Sequence, residues 1–306
     1  MISSYIIDSQ DIVELALGEN KVAIVKSLGG TIYSLILNKT NILFHDKTEE
    51  LTKNDLFRGR ILFPFNDRIP QGKYNFEGNE YQFPLNCDDK DSIHGLIYNQ
   101  TMTEVDRFSS SEIEEVELEK IIDKGDFLGY PFSIKINIRY RLTLNSFSMN
   151  ITVKNIGSKR LPYAIGWHPY FTFGNKIDSS KLQFPGDFYY DVDENLYFKG
   201  NKYSVVNSKY DFNKKDIIGN RELDIAININ GESKVILENE LNYIQMEFSK
   251  DMFPALQLFI PEDRQSIAIE PISGPSDSFN YPEAGLRFLD SLESETGTIK
   301  VLSGRN

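Results

Sequence analysis

The sequence predicts an all-β protein folded as one large antiparallel β-sandwich. Three observations lead there: apolar residues recur at every second position over long stretches, turn residues separate those stretches, and apolar stripes at helical spacing are nearly absent.

Taken in chain order, residues 22–25 and 31–37 read as strands flanking Gly29-Gly30. A hairpin follows, with strands at 74–76 and 81–83 joined through Glu77-Gly78-Asn79-Glu80. The acidic stretch 109–119 is compatible with a helix, although Ile113, Val116 and Leu118 make no clean stripe. The strongest signal lies at 133–144, where Ile134, Ile136, Ile138, Tyr140, Leu142 and Leu144 alternate with mostly polar residues. Asn145-Ser146 then turns the chain, and Phe147, Met149, Ile151 and Val153 resume the alternation, which predicts a long hairpin with one buried face. Further strands are expected at 235–238, 244–248, 256–260 and 267–270. No repeat, low-complexity tract or linker of domain-separating length interrupts the chain, so all 306 residues are expected to form one domain with long loops. Such loops are where binding residues gather over a rigid scaffold.

Composition narrows the function classes. A hydrophobic content of 40% with 12% aromatics supports a substantial core. The formal charge of −12, from 45 acidic and 33 basic residues, repels nucleic acid and anionic lipid, so neither is an expected partner. The single cysteine, Cys87, excludes an internal disulfide and gives no metal motif. No signal peptide is visible after Met1, and no apolar run approaches the roughly 18 residues that span a bilayer. A soluble, cytoplasmic protein is the expectation, and nothing in the sequence sets an oligomeric state.

Residues able to move protons are few and far apart. In Ser266-Ile267-Ala268-Ile269-Glu270, alternation puts Glu270 on one face with Ala268 and Ser266, leaving room for a ligand beside a carboxylate. A solvent-facing glutamate at a strand end is the alternative. His168 lies among aromatics in Trp167-His168-Pro169-Tyr170-Phe171, where desolvation would favour neutral imidazole. Pro169 restricts His168 to an extended backbone. A core histidine bonded to one carbonyl is the plainer reading. His94 precedes Gly95, a residue that lets backbone pass close to another strand or a ligand. Arg68, in Asn66-Asp67-Arg68-Ile69, offers a planar fork of donors suited to oxygens, or else a surface salt bridge to a nearby aspartate. The third histidine, His45, reads as an ordinary loop residue.

Together these motifs resemble the aldose 1-epimerase (galactose mutarotase-like) family, and the resemblance runs through most of the chain. Asn66-Asp67-Arg68-Ile69 with Gly72-Lys73-Tyr74 is similar to the family's arginine-bearing stretch. Asp91-Ser92-Ile93-His94-Gly95 and His168-Pro169-Tyr170-Phe171 resemble its two histidine motifs, and Ile269-Glu270-Pro271 with Asp277-Ser278-Phe279-Asn280 its carboxylate motif. The resemblance implies a large antiparallel β-sandwich that interconverts the α and β anomers of an aldohexose without a cofactor. It implies Glu270 as general base, His168 as general acid, and His94 and Arg68 as residues that hold the sugar and its ring oxygen. Asp224 is the candidate for the family's hydroxyl-binding aspartate.

Anomer exchange suits such a set, because a base must take the C1 hydroxyl proton while an acid protonates the ring oxygen. Each positioned group typically contributes about 10²–10⁴-fold. No metal or nicotinamide is required, and two site histidines without a cysteine cluster would ligate zinc poorly. The chain departs from the family pattern in two places: no asparagine lies in Leu161-Pro162-Tyr163-Ala164-Ile165-Gly166-Trp167, and Leu96 rather than a second glycine follows Gly95. These departures bear on the preferred sugar. A hexose-6-phosphate 1-epimerase and a non-catalytic sugar-binding protein are the alternative readings.

Overall fold

The computed structural model describes residues 1–45, 51–52 and 56–306. All named strand pairings among them are antiparallel, and the fold is all-β. Helical structure among the described residues amounts to short 3-10 turns such as Lys26–Leu28 and Pro282–Ala284. No described helix is long and apolar enough to cross a membrane.

Three large sheets carry the architecture. A five-stranded sheet runs in chain order from Ile2–Ile7 to Thr40–Asn41. A nine-stranded sheet is built around Ile113–Ile122, Ile134–Thr143, Phe147–Asn155 and the last strand, Ser294–Arg305. An eight-stranded sheet includes Gly186–Val192, Asp224–Ile229, Ala255–Phe259 and Ile267–Ile272. Inward-facing residues of all three share one hydrophobic cluster, including Val13 and Leu15, Ile134 to Leu142 at alternate positions, and Ile267 and Ile269. Alternation matched to a shared core is what fixes strand register, since a one-residue slip would expose every buried side chain.

The long hairpin forms with Leu142 opposite Phe147 and Ile136 opposite Val153, but Leu144 falls in the turn and is exposed rather than on the buried face. The shorter hairpin pairs Lys73–Phe76 with Asn79–Gln82. Its turn is tighter than expected, because Phe76 lies opposite Asn79 and only Glu77 and Gly78 are left in the loop, both at positive φ (48° and 78°). Two residues at positive φ make a turn whose twist matches that of the flanking strands.

The acidic stretch at 109–119 is no helix. Ile113–Ile122 is a strand between Thr103–Ser109 and Ile134–Thr143. Val116, Leu118 and Ile122 turn inward, while Glu115, Glu117 and Glu119 meet Arg141, Arg139 and Lys135 of the neighbouring strand.

Candidate active site

Strand register assembles three polar side chains on one face of the eight-stranded sheet. Gln257 lies opposite Glu270, and Asp224 lies opposite Phe259, two residues from Gln257. Side chains alternate across a strand, so Asp224, Gln257 and Glu270 project to the same side. The Gln257 amide donates to Asp224 Oδ1 at 2.7 Å and so orients that carboxylate. Glu270 is 2% exposed, which removes the solvent-facing alternative.

His168 reaches the same space from the end of Gly166–Trp167, which pairs with Ile272 and with Ile61–Leu62. Its backbone is fixed on both sides: His168 N–H donates to Arg60 O at 3.0 Å, and Gly59 N–H donates to His168 O at 2.8 Å. Tyr170 stacks on the imidazole with centroids 4.9 Å apart. Nδ1 is enclosed without a hydrogen-bond partner and lies 3.5 Å from Glu270 Oε1. That is ion-pair range but too long for a good hydrogen bond. Nε2 is the ring nitrogen left for a ligand.

His94 sits at φ 59°, and Gly95 follows at φ 88°. The close approach that Gly95 permits is to another strand rather than to a ligand: a Cβ there would lie 2.3 Å from Phe63 O. His94 Nδ1 is 2.8 Å from Asn66 O. A carbonyl only accepts, so Nδ1 carries the hydrogen and Nε2 of the neutral ring is an acceptor. The two imidazoles meet edge to face with centroids 5.1 Å apart. Arg68 is half-buried, and the aspartate it faces, Asp91, is buried rather than at the surface. The Arg68 guanidinium donates to Cys87 Sγ at 3.2 Å and lies 4.0 Å from Asp91, whose carboxylate also accepts from Tyr197 at 2.8 Å.

Arg68, His94, His168, Asp224 and Glu270 all line one cavity of about 840 Å³. His45 does not; it is half-buried in a loop beside the Tyr33 ring. Among the described residues no group of three or more His, Cys, Asp and Glu side chains is arranged to hold a metal ion.

Burial dominates the electrostatics. It pushes the Glu270 carboxyl well above the ordinary range, and the negative charges of Asp67 and Asp224 push it further. Burial also holds His168 well below the usual imidazole value, helped by His94 and Arg58. His94 falls to about 4 for the same leading reason, despite the opposing Asn66 carbonyl. Burial raises Asp224 too, against the pull of Arg68 and Gln257. Both histidines are therefore neutral at rest, and burial favours the protonated form of Glu270.

Sequence reasoning missed Asp67, Gln257 and Tyr98 among the cavity's lining. Gln257 had a signal: it is the polar residue at the centre of an otherwise apolar strand pattern. Asp67 was in view as a salt-bridge partner for Arg68, yet its Oδ1 accepts from the Arg68 backbone N–H at 2.6 Å instead.

The known protein families settle the lineage. Residues 11–301 match the family model described as aldose 1-epimerase. The chain belongs to the aldose 1-epimerase family. Among relatives of this aldose 1-epimerase family member, an uncharacterized Escherichia coli K12 protein, YihR, is 27% identical over 276 residues, which span 88% of this chain and 85% of YihR. Two solved structures share the fold. A galactose mutarotase-like protein from Clostridium acetobutylicum gives a TM-score of 0.89 at 19% identity, covering 100% of this chain and 99% of that one. A galactose 1-epimerase from Lactobacillus acidophilus NCFM gives 0.84 at 20% identity, covering 100% and 98%. The antiparallel multi-sheet architecture is thus that of galactose mutarotase structures.

Proposed function

We propose that this family member interconverts the anomers of an uncharged aldohexose by acid–base ring opening and reclosure. One observation carries the proposal: His168 Nδ1 lies 3.5 Å from Glu270 Oε1 on the wall of a cavity that also holds Arg68, His94 and Asp224.

The hydroxyl oxygen that loses a proton and the ring oxygen that gains one are bonded to the same carbon, C1. An acid and a base serving both atoms must therefore stand side by side, as Glu270 and His168 do. The working form of the pair is carboxylate plus imidazolium, with the 3.5 Å contact stabilising the charges it separates. Glu270 takes the C1 hydroxyl proton, His168 protonates the ring oxygen through Nε2, and the C1–ring oxygen bond breaks. The aldehyde rotates about C1–C2, and reclosure on the other face reverses each proton transfer. Neutral His94 accepts a sugar hydroxyl hydrogen at Nε2. Arg68 donates to sugar oxygens, and Asp224, held by Gln257, accepts from hydroxyls. Among the described lining residues, Asp67, Asp88, Asp224 and Glu270 outnumber Arg60 and Arg68, which disfavours a phosphorylated sugar.

Polarimetry on freshly dissolved α-D-glucose and α-D-galactose tests the reading. Glu270→Gln is expected to slow mutarotation by at least about 10²-fold while leaving the melting temperature at or above wild type. Near-wild-type rates in that variant remove Glu270 from the mechanism. Faster turnover of glucose 6-phosphate than of glucose favours the phosphate-specific reading. Calorimetric binding without any acceleration by the wild-type protein favours a sugar-binding role.

A further inference from the structure

Two loops meet behind Arg68. The first is the tight turn at 87–91, with Asp88 and Asp89 at positive φ. Across it Cys87 and Asp91 exchange backbone hydrogen bonds, N–H to O at 3.1 Å in each direction. This pairing sets the Cys87 sulfur beside the Asp91 carboxylate, and Arg68 Nη1 faces both. The second loop, 193–197, joins the strands Gly186–Val192 and Phe198–Ser204 at the edge of the eight-stranded sheet. Asp193 Oδ1 accepts from the N–H groups of Asn195 and Tyr197, which folds this loop on itself. Two bonds dock it on the first: Lys90 Nζ donates to Asn195 Oδ1 at 2.6 Å, and Tyr197 donates to Asp91. Leu196 reaches the cavity wall, whereas Tyr197 and Asp91 lie outside the cavity's lining.

Asp91 is 3% exposed and has three donors around it. Gln71 N–H donates to Oδ1 at 3.1 Å, and the Tyr197 hydroxyl lies 2.8 Å from both carboxylate oxygens. Burial and this bond push the Tyr197 hydroxyl up to about 12, so it keeps its hydrogen and donates. Arg68 Nη1 is the third, 4.0 Å from Oδ2 and beyond hydrogen-bond range. A guanidinium beside a carboxylate ordinarily closes to about 2.7–2.9 Å, in a contact roughly twice as strong as a neutral one. Here Nη1 donates to a weak acceptor instead, Cys87 Sγ at 3.2 Å. The stronger acceptor stands within reach and is left, with the tyrosine hydroxyl on both of its oxygens.

We propose that Tyr197 is a positioning residue for Arg68: by donating to Asp91 it keeps that carboxylate from capturing the guanidinium, which stays presented to a sugar in the cavity. Tyr197 touches no reacting atom and acts through two other side chains. Its effect on KM rests on the anomer-exchange reading of the site; the placing of Arg68 does not.

Tyr197→Phe keeps the ring, with the Lys90 ammonium over its face, and removes only the donor. In a crystal structure of this variant Arg68 Nη1 is expected to move from 4.0 Å to within about 3.2 Å of Asp91 and to leave Cys87 Sγ. KM for α-D-glucose should rise about tenfold with a smaller change in kcat, as a charged hydrogen bond to the sugar is lost. An uncharged amide at 91 does not draw a guanidinium in this way. In an Asp91→Asn background, therefore, Tyr197→Phe should leave KM where Asp91→Asn alone puts it. Asn195→Ala removes the other tie between the two loops and should leave KM near that of wild type. A guanidinium that stays 4.0 Å from Asp91 in Tyr197→Phe overturns the proposal. So does an undiminished KM effect in the Asp91→Asn background, or an equal one in Asn195→Ala, since either means that the tyrosine acts by docking its loop. Failure of the wild-type protein to speed mutarotation overturns the anomer-exchange reading alone, because the distance from Arg68 to Asp91 is read without turnover.

Discussion

Arg68 illustrates how a side chain's surroundings, not its type, decide its use. Its guanidinium is fixed from behind by Cys87 Sγ at 3.2 Å and by Asp91, which Tyr197 holds in turn. A planar fork held in this way keeps further N–H groups free in direction for sugar oxygens, and a lysine ammonium cannot reproduce that fan of donors. Arg68→Lys is expected to raise KM by about tenfold or more with a smaller change in kcat, since a lost charged hydrogen bond costs roughly 1.5–3 kcal/mol. Polarimetric initial rates over a range of sugar concentrations check this, and an unchanged KM takes Arg68 out of the binding set. At this scale the sequence was legible for residue types but not for partners. His94, His168 and Glu270 stood out because histidines are few and because Ala268 flanks the carboxylate. Asp67 did not, because an aspartate beside an arginine reads as its ion-pair partner. Only the backbone turn that sends Oδ1 to the Arg68 N–H reveals that the carboxyl is committed elsewhere.

At the scale of elements, period-two alternation carried most of the information. The hairpin at Ile134–Thr143 and Phe147–Asn155 follows from its pattern because every inward position is apolar. The strand Ile113–Ile122 did not follow, because its glutamates are explained only by arginines and a lysine some twenty residues later in the chain. Glu115 pairs with Arg141 at 2.9 Å and Glu119 with Lys135 at 2.9 Å across the sheet. Buried Glu114 binds the Met1 ammonium, a partner no local pattern can reveal. The geometry of the His94 loop is tightly dictated. Gly95 combines φ 88° with backbone of Phe63 packed where a Cβ would stand, and Leu96 N–H donates to Phe63 O at 2.8 Å. Gly95→Ala must therefore move a strand or break that bond. A loss of about 2–4 kcal/mol is expected, read as a lower denaturant midpoint, together with slower mutarotation as His94 leaves its Asn66 contact. A variant as stable as wild type contradicts this account of the loop.

For the whole molecule, the site behaves as a set of titratable groups held at a cost to stability, with opposite signs across the same window between about pH 4 and 7. Asp67 rises from an ordinary 3.8 to about 7 on folding. The unfolded chain gives up this proton from about pH 4, while the folded chain keeps it until about 7, so the fold loses stability across that window and no further above it. His94 runs the other way, falling from 6.5 to about 4. Unfolded chains protonate it first, so the fold loses stability as pH drops from about 6.5 to 4. Removing each group should return what it cost. Asp67→Asn is expected to melt with wild type below about pH 4 and progressively above it toward pH 7, by on the order of 2 kcal/mol once solvent screening is allowed for. His94→Gln should match wild type above about pH 7 and gain on it as pH falls toward 4. Melting curves at pH 4, 5.5 and 7.5 for the three proteins check both trends together. Parallel curves at all three values would mean that neither group changes its proton affinity on folding. Opposed trends identify Asp67 and His94 as groups held in this cavity against their own solvation.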